Sequence, residues 1–504
     1  MSYLVTRSIL FIIIFASLMR RGVKILLLAG AVALLSSCIN PFWADEPEEK
    51  ESQYTRKYVN QFAYNIMAVY YLWVDEIREK LDNWMTNDDP VEKIEEIRYK
   101  DSEGKDIDRW TRVTDDYDSF VNSIEGVGTT YGYEFTLYYY TSEAREYVAA
   151  VVTVIYADSP AAAAGLKRGD VILKVDGSPI PVEGYADIVK SKLMYSSHCE
   201  LTLSDNQTIS MDAVEMYCNP VNVARVFNCG GKKVGYLHYT SFAMNSCQEL
   251  ISLCKSFKTY DVSELILDLR YNSGGYVVIE EVLASMFAPA PVVASGDVFM
   301  TEVYNKYLTQ SWGEEESVTH FRTKFKIGTN TFDTSDVNLG LTKIYAIMTG
   351  GSASASEAII CGLKPFVDIE IIGEQSYGKY CTGIVFEGSN WFENYKDELP
   401  KKDYQNGLKY AANWGIYVMI GRYADRNGET LCMPNGFIPD HEIHDNPRDG
   451  HQLGDPEETM LKAALTLAGY SYPSTPGVKS TTKPVAMEQP AMPKRESFGV
   501  FLHQ

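Results

Sequence analysis

The sequence lacks the patterns of several common classes of protein. Its 504 residues carry a net charge of −21, so it has no surplus of Lys and Arg with which to neutralise nucleic-acid phosphates. Its nine cysteines form no CxxC pair, which disfavours a zinc ribbon or a thioredoxin-like motif. The histidines at His441, His444 and His451 do not follow the H-E-x-x-H pattern of a metal site. The sequence therefore predicts no nucleic acid, no metal and no cofactor as a partner, and buried cysteines that act as small hydrophobes.

Long apolar runs are also missing. The run from residue 25 to 35 is too short for a comfortable transmembrane helix. It follows a basic stretch and ends in Leu-Ser-Ser-Cys at Cys38, which is the order of a secretory signal. Its last four residues resemble the bacterial lipobox, in which the cysteine is lipidated. We therefore predict a signal and lipobox over residues 1–38 with Cys38 as the lipidation site. A second apolar run, residues 9–18, precedes Met19; either it is a membrane span ahead of the signal or, more simply, translation starts at Met19.

The composition changes several times along the rest of the chain. Residues 39–55 are acidic and contain proline, which predicts an extended tether. Residues 56–113 are interpreted as a small helical domain, because apolar residues recur at helical spacing from 56 to 81. The proline-rich end, residues 471–504, is predicted to be disordered.

A β-rich segment occupies residues 114–215. Its stretch SPAAAAGLKRGDVILKVDG, at 159–177, resembles PDZ domains. Such domains bind the C-terminal segment of a partner by adding it to a strand edge. The resemblance places the carboxylate-binding loop at Tyr131–Phe135, with Gly132, Tyr133 and Phe135 as candidate substrate-binding residues, and a groove helix at Tyr185–Leu193.

Residues 216–470 are typical of an α/β domain. Apolar strands alternate with helices, which predicts a mainly parallel sheet covered on both faces. Loops at the carboxyl ends of such strands are where these folds place their sites. Three loops are therefore expected to converge: Tyr271–Gly275, Gly350–Glu357 and Ser376–Lys379.

The second of these loops, GGSASASEAII, carries three serines but no neighbouring histidine. The nucleophile-elbow pattern G-x-S-x-G is absent, because Ser354 stands where the second glycine would be. Small residues ahead of an apolar helix can simply allow close packing and capping. If one serine is a nucleophile, a lysine can take its proton, provided that burial disfavours the ammonium form. Lys379 follows an apolar strand directly, although a lone lysine there is usually a solvated loop residue.

The motifs VGYLHYTSF, LILDLRYNSGG, GGSASASEAI and IIGEQSYGKY follow a PDZ-like segment in this order. Over residues 115–468 the chain resembles the carboxyl-terminal processing, or tail-specific, protease family. The resemblance implies a Ser/Lys dyad on a ClpP/crotonase-like α/β core with an inserted PDZ domain and a small helical N-terminal domain. The family's lysine follows its nucleophile by 25 positions, and 379 − 354 = 25 selects Ser354 and Lys379. The resemblance also implies oxyanion donors at Gly274 and Ala355 and a structural role for Glu357.

The sequence departs from that family at Gly383, where a glutamine often helps to orient the lysine; Thr382, Tyr380 or a water could substitute. This departure favours an alternative interpretation, a non-catalytic PDZ-type peptide-binding lipoprotein on a degenerate protease core. The favoured interpretation is a serine endopeptidase, lipid-anchored in the bacterial cell envelope, that recognises protein or peptide substrates by their C-terminal segments. Whether it forms a homo-oligomer stays open.

Overall fold

The computed structural model describes residues 47–140, 147–472 and 500–501. The chain forms two compact units. In its described part, the first comprises residues 47–115, 304–317 and 386–418, and the second comprises the rest. Within these ranges no helix combines the length and the apolar character needed to cross a bilayer. The predicted signal, with Met19 and Cys38, lies outside the described residues.

The helices of the described residues are mostly short. We number the α-helices in chain order: α1 Pro47–Tyr70, α2 Arg78–Asp82, α3 Pro90–Ile97, α4 Tyr117–Ile124, α5 Pro160–Ala163, α6 Tyr185–Ile188, α7 Cys247–Thr259, α8 Val277–Phe287, α9 Ala290–Ser295, α10 Lys306–Trp312, α11 Ala355–Leu363, α12 Gly388–Asn394, α13 Lys401–Tyr410 and α14 Thr459–Leu467. Single helical turns of other types cover Val189–Met194, Met244–Ser246 and Glu314–Ser317.

The strands of the described residues fall into the N-terminal, PDZ-like and core parts of the chain. They are β1 Arg112–Thr114, β2 Val127–Thr130, β3 Tyr133–Tyr140, β4 Tyr147–Ile155, β5 Val171–Val175, β6 Ser178–Pro181, β7 His198–Leu203, β8 Thr208–Asp212, β9 Val214–Tyr217, β10 Val221–Cys229, β11 Lys232–Tyr239, β12 Val262–Asp268, β13 Gly275–Tyr276, β14 Val298–Tyr304, β15 Val318–His320, β16 Lys324–Ile327, β17 Asn330–Asp333, β18 Lys343–Met348, β19 Asp368–Gly373, β20 Cys381–Glu387, β21 Gly415–Asp425, β22 His441–Glu442 and β23 Val500–Phe501.

The first unit is mainly helical, but its first helix does not have the predicted bounds. Helix α1 begins at Pro47, so residues 47–55 are helical and not part of an extended tether. A proline at the first helical position followed by glutamates suits a helix N-terminus. The helix ends at Tyr70 and not near 81, because the aromatic and β-branched residues that follow are weaker helix formers. Of the two residues at helical spacing beyond its end, Ile77 is nevertheless buried, whereas Leu72 is only partly buried.

The PDZ-like part of the second unit is an antiparallel sheet with the order β3-β4-β6-β5-β7-β8. Strand β4 is built from alanine and β-branched residues and is buried along almost its whole length, as expected of a strand covered on both faces. The Asp176-Gly177 pair has positive φ at both positions and joins β5 to β6, which is the hairpin turn that this dipeptide favours. Strand β2 pairs separately with β9.

The core part of the second unit is the α/β structure that the sequence predicts. Its six-stranded sheet has the order β10-β11-β12-β18-β19-β22. All neighbours are parallel except β10 and β11. Helix α14 contributes Met460, Leu461 and Leu465 to a buried cluster on this sheet. Because β12, β18 and β19 are adjacent and parallel, the loops that follow them leave from the same edge.

The predicted disordered tail contains one described strand. Val500 and Phe501 form β23, which pairs with β13 and β20, so the prediction of disorder is wrong for these two residues. They belong to an apolar stretch beyond the last proline, Pro493, and β-branched and aromatic residues favour strands. Residues 473–499 and 502–504 lie outside the described residues.

A buried network of charges joins the PDZ-like part to the core within the second unit. Arg270 bonds Asp268 and Glu458, at 2.7 Å in each case. Arg168, from the PDZ-like part, bonds Asp445 at 2.8 Å and the hydroxyl of Tyr271 at 2.9 Å. Burial would raise the pKa of Asp268, but the Arg270 guanidinium lowers it below its ordinary value. The network therefore fixes both the last residue of strand β12, Asp268, and the residues that follow it, Arg270 and Tyr271.

We predict that Arg270→Met destabilises the fold by about 3–5 kcal/mol, because it leaves buried Asp268 without a cationic partner and Glu458 with only the 3.5 Å contact to Arg168. Urea unfolding at neutral pH measures the change. The stabilisation by Asp268 is fully present above the unfolded aspartate pKa of about 3.9 and is lost as pH falls through the lower folded value. Lys462→Met, which breaks an exposed pair with Glu457 and a contact with the Tyr472 ring, is the control and should behave nearly like the unchanged protein. Equal stability of both variants would contradict the prediction.

Candidate active site

Ser354 stands at the N-terminal cap of helix α11, in a strained backbone conformation. Its φ is 62° and its ψ is −117°, a region that residues with a side chain rarely occupy. The residue is fully buried, and its Oγ faces the Glu357 amide in a capping-box arrangement but makes no hydrogen bond of ordinary geometry to a described residue. Strain of this kind persists only where surrounding contacts enforce it and is common at active sites. A buried hydroxyl without a partner is likewise uncommon in folded proteins.

The two neighbouring serines use their hydroxyls to hold the backbone. Ser352 Oγ donates to the carbonyl of Leu269 at 2.8 Å and accepts from the Thr349 amide at 3.0 Å. Ser356 Oγ donates to the carbonyl of Asn272 at 2.9 Å. These contacts tie the serine loop to the loop after β12. The packing interpretation of the serine cluster therefore holds for Ser352 and Ser356, and Ser354 is the exception.

Lys379 is fully buried and is not a solvated loop residue. Lysine is almost never fully buried unless it is paired. Two contacts fix its main chain: its amide donates to Glu357 Oε2 at 2.7 Å, and its carbonyl accepts from the Tyr423 hydroxyl at 2.8 Å. The loop after β19 thus holds a lysine inside the protein next to the serine loop.

The carboxylate of Glu357 joins the serine loop to the lysine loop. Its Oε2 accepts from the amides of Ser354, at 3.1 Å, and Lys379, at 2.7 Å. Its Oε1 accepts from Ser376 Oγ at 2.5 Å and from the amide of Gly378 at 2.7 Å. Burial raises the pKa of Glu357 above its ordinary value, although these hydrogen bonds act to lower it. Glu357 therefore positions both loops, in agreement with the structural role that the resemblance implies.

Tyr423 is a second link that sequence reasoning missed. Its hydroxyl donates to the carbonyl of Lys379 at 2.8 Å and lies 3.4 Å from the carbonyl of Ser354. Burial raises the pKa of Tyr423 well above its usual range, so the phenol stays a neutral donor. Tyr423 belongs to β21 and is 44 positions from Lys379. No local pattern marks it, because its role depends on contacts made only in the folded chain.

The loop after β12 brings Gly274 against the candidate nucleophile. Gly274 has φ 110°, and a Cβ built on it would lie 2.8 Å from the Cβ of Ser354, so only glycine fits. Its amide donates to Asn272 Oδ1 at 2.9 Å. For Gly274 to stabilise an oxyanion, that bond must be exchanged for one to substrate. Ala355 begins helix α11, and the first amides of a helix point outward without intrahelical partners.

Asn272 is another residue that the motif analysis passed over. Its Nδ2 donates to the carbonyl of Tyr239 at 2.8 Å while its Oδ1 accepts from Gly274. The Asn272 carbonyl also accepts from the amide of Ala353 at 3.1 Å. The only local signal is its position in YNSGG, two residues before the glycine pair. Asn272 therefore connects β11, the glycine loop and the serine loop.

Gly383, the departure from the family pattern, lies in strand β20 and pairs with Phe501. Of the residues considered as substitutes for the missing glutamine, Thr382 donates its hydroxyl to the carboxylate of Glu302. Tyr380 is buried, and its carbonyl accepts from the Tyr423 amide at 3.3 Å. The main chain around Lys379 is thus held by Glu357 and Tyr423, whatever group contacts the amine.

The candidate substrate-binding residues of the PDZ-like part differ in position from the expected loop. Tyr133 and Phe135 belong to strand β3, so the loop before it is confined to Tyr131 and Gly132. The apolar alternation of these residues suits a strand, which explains the difference. Gly132 has φ 74°, and a Cβ there would meet the Cβ of Ser159 at 2.2 Å.

A cavity of about 770 Å³ begins at this strand. Tyr133, Phe135 and Leu193 line one part of it, and Gly274 and Gly275 line another. The predicted groove helix is present as α6 and the helical turn Val189–Met194. All these residues belong to the second unit. The peptide groove of the PDZ-like part and the glycine loop of the core therefore open onto the same space.

The three histidines considered as a metal site contact carboxylates, and most of the described cysteines are buried. His441, His444 and His451 contact the carboxylates of Glu370, Glu374 and Asp455, at 2.8 Å, 3.1 Å and 3.0 Å. Among the described residues, no cluster of His, Cys, Asp and Glu has the makeup of a metal site. No disulfide links the eight described cysteines, and all of them except Cys218 are buried.

Comparisons with known proteins agree with this geometry. Residues 233–443 match the model of peptidase family S41, and residues 151–192 match the model of the PDZ domain. The carboxyl-terminal-processing protease of Picosynechococcus sp. is 23% identical over 316 residues, which cover 61% of this chain and 64% of that protein. The chloroplastic C-terminal processing peptidase of Tetradesmus obliquus is 24% identical over 250 residues, which cover 46% of this chain and 48% of that protein. The chain thus spans less than two thirds of the length of these curated relatives.

A crystal structure of a candidate S41 protease from Bacteroides fragilis shares the fold. It superposes with a TM-score of 0.58 at 21% identity and covers 81% of this chain and 96% of that one. The segment matched by the peptidase model contains the three loops that hold Gly274, Ser354 and Lys379. The chain is therefore similar to peptidase family S41 over residues 233–443, and a segment that matches the PDZ domain model, residues 151–192, precedes that core.

Proposed function

We propose that this protein is a serine endopeptidase in which Ser354 is the nucleophile and Lys379 the general base. The observation that carries the proposal is the difference among three serines in one loop. The hydroxyls of Ser352 and Ser356 are bonded to the main chain, whereas that of Ser354 makes no hydrogen bond of ordinary geometry to a described residue. Ser354 also shares the carboxylate of Glu357 with the buried Lys379.

The chemistry is acyl transfer in two steps. Neutral Lys379 takes the Ser354 proton, and the oxygen attacks the peptide carbonyl carbon. The amides of Ala355 and Gly274 stabilise the oxyanion. The C–N bond then breaks, the proton on Lys379 passes to the leaving amine, and an ester remains on Ser354. Water, deprotonated by Lys379, hydrolyses this ester and restores the serine.

The proposed substrates are proteins or peptides recognised by their C-terminal segments. PDZ domains bind such segments along a strand edge. Strand β3 carries Tyr133 and Phe135 on the cavity that also reaches the glycine loop. The two relatives are both named for carboxyl-terminal processing. The side chains of Tyr133, Phe135 and Leu193 in the lining support a preference for an apolar C-terminus.

We further propose that the protein acts in the bacterial cell envelope as a lipoprotein anchored through Cys38. The support is the order of basic residues, short apolar run and Leu-Ser-Ser-Cys in the sequence. The anchor is the finer part of this proposal, and the peptidase assignment does not depend on it. The alternative function is a PDZ-type binding lipoprotein without catalysis, which Gly383 favours and the unpaired hydroxyl of Ser354 disfavours.

We predict that a fluorophosphonate probe labels the protein and that Ser354→Ala abolishes the labelling. Peptidase activity should fall on the order of 10³-fold or more in Ser354→Ala, because the nucleophile is lost. Lys379→Arg should fail similarly, since a guanidinium stays protonated in proteins. Ser352→Ala and Ser356→Ala are matched controls and should keep the label. Labelling that survives Ser354→Ala would assign the reactive residue elsewhere, and an unlabelled, inactive wild-type chain would favour the binding-protein alternative.

Peptidase activity should fall on acidification for two reasons: protonation of Lys379 removes the general base, and protonation of Glu357 weakens the contacts that hold both loops. Burial raises the pKa of Glu357, so at any given pH it is protonated to a greater fraction than an ordinary glutamate. The protonated carboxyl loses acceptor capacity toward the amides of Ser354 and Lys379. Glu357→Gln should lower kcat on the order of 100-fold through misplacement of the dyad, and it should make the acid limb shallower, because only the loss from protonated Lys379 remains.

The measurement is kcat/KM against pH for both chains. Glu374→Gln is the control, because Glu374 contacts exposed His444 outside the dyad. It should keep both the rate and the acid limb. An unchanged limb in Glu357→Gln would show that another group causes it.

Substrate choice should depend on the PDZ cavity. We predict that two aspartates added to the C-terminus of a peptide substrate raise KM about tenfold, because a charged end loses apolar burial in the cavity. Leu193→Asp should raise KM for the apolar peptide and leave fluorophosphonate labelling of Ser354 intact. Lys190→Asp, on an exposed face of the same helical turn, is the control. Equal KM values for both tails would remove the PDZ domain from substrate selection.

A further inference from the structure

A slot one strand wide lies between β13 and β20. Strand β23 fills it: Val500 pairs with Gly275, and Phe501 pairs with Tyr276 on one side and with Gly383 on the other. Both pairings are parallel. Phe501 is thus bonded in register from two sides, like a residue in the middle of a sheet.

The walls of the slot are formed by glycines. Gly275 has φ 147°, and a Cβ there would lie 2.5 Å from the carbonyl oxygen of Phe242. Gly275 thus lies between the main chain of Phe242 and that of Val500. The opposite wall is Gly383. A glycine inside a strand often marks a place where another backbone approaches closely.

The slot is flanked by both halves of the proposed dyad. Gly275 directly follows Gly274, which packs against the Cβ of Ser354. Gly383 follows Lys379 by four positions along the chain, since 383 − 379 = 4. A peptide that enters the slot as an extended strand therefore pairs with the residue next to Gly274, which lies against Ser354.

We propose that this slot is the strand-binding subsite of the active-site cleft, and that the chain's own C-terminal segment around Val500 and Phe501 occupies it in competition with substrate. The docking rests on the strand pairing alone, whereas its effect on turnover rests on the proposed peptidase function. Recognition is through the backbone, so the segment needs a high strand propensity. A β-branched residue followed by an aromatic one meets that need.

The covalent connection favours the protein's own tail over a free peptide. Tyr472 is the last described residue before Val500, and the 27 residues between them can span up to about 90 Å. A tethered segment competes intramolecularly, so its effective concentration does not fall on dilution. The tail therefore acts as a built-in occupant that a substrate must displace.

Two full-length variants test the competition. Val500→Pro/Phe501→Pro removes two backbone N–H donors and cannot form the paired strand. Val500→Thr/Phe501→Tyr keeps residues of high strand propensity. With fluorescein-labelled casein as substrate, the proline variant should show a KM at least about threefold lower than that of the unchanged chain, with the same kcat. The Thr/Tyr variant should match the unchanged chain, and the difference should not depend on enzyme concentration.

A binding measurement separates this inference from the peptidase assignment. The full-length chain with Ser354→Ala and Val500→Pro/Phe501→Pro has a vacant slot and no nucleophile. A fluorescent peptide of residues 494–504 should bind it, and the same peptide with the two prolines should not, as followed by fluorescence anisotropy. The Ser354→Ala chain with its native tail should bind the peptide more weakly, because its slot is filled.

The outcomes are distinct. Casein hydrolysis with the same KM in all chains and no peptide binding would overturn the slot assignment and leave the peptidase intact. Specific peptide binding without hydrolysis by any chain would support the slot and overturn the peptidase. A KM difference that grows with enzyme concentration would overturn the intramolecular form, because the occupant would then come from a second copy.

Discussion

The buried carboxylate of Glu357 is the contact on which the geometry of the site depends. It accepts hydrogen bonds from the amides of Ser354, Gly378 and Lys379 and from the hydroxyl of Ser376. A buried carboxylate is costly unless its oxygens are satisfied, so the serine and lysine loops can adopt few other arrangements. Glu357, in the first turn of helix α11, thereby fixes the relative positions of the two loops that follow β18 and β19.

The loop after β12 depends on a different buried network. Arg270 pairs with Asp268 at the end of that strand and with Glu458 at the start of α14. Arg168 extends the network to Tyr271 and Asp445. Buried ion pairs add little stability over apolar packing, but they are intolerant of losing one partner. The position of the glycine loop is therefore tied to a residue of the PDZ domain, which shares the cavity beside it.

Much of this arrangement could be predicted from the sequence because its signals are local. Apolar runs such as LILD predict buried parallel strands, and adjacent parallel strands must end at one edge. The choice of Ser354 and Lys379 rested on the spacing that the family resemblance implies, and it stays a prediction; the hydroxyls of Ser352 and Ser356 are bonded to the main chain. Tyr423 could not be found in this way, since nothing in its neighbourhood distinguishes it from other strand aromatics.

The errors at the two ends of the chain have a similar origin. An acidic, proline-containing stretch is typical of a tether, yet proline and glutamate also suit the first turn of a helix, and α1 begins at Pro47. A proline-rich tail is typical of disorder, but Val500 and Phe501 gain partners from β13 and β20. Composition describes what a segment does alone. Composition does not show that two strands more than a hundred positions away leave a gap in which the segment can pair.

Gly383 is where the sequence and the structure bear on each other most directly. Judged by the family pattern, a glycine there removes a group that orients the lysine. In the structure, the main chain of Lys379 is already fixed by Glu357 at its amide and by Tyr423 at its carbonyl. The glycine at position 383 therefore affects only which group contacts the Lys379 amine. It does not affect the position of the Lys379 main chain. At the same time, a glycine at position 383 lets the backbone of Phe501 approach β20. The same residue thus offers no side chain to the lysine and leaves room for a paired strand.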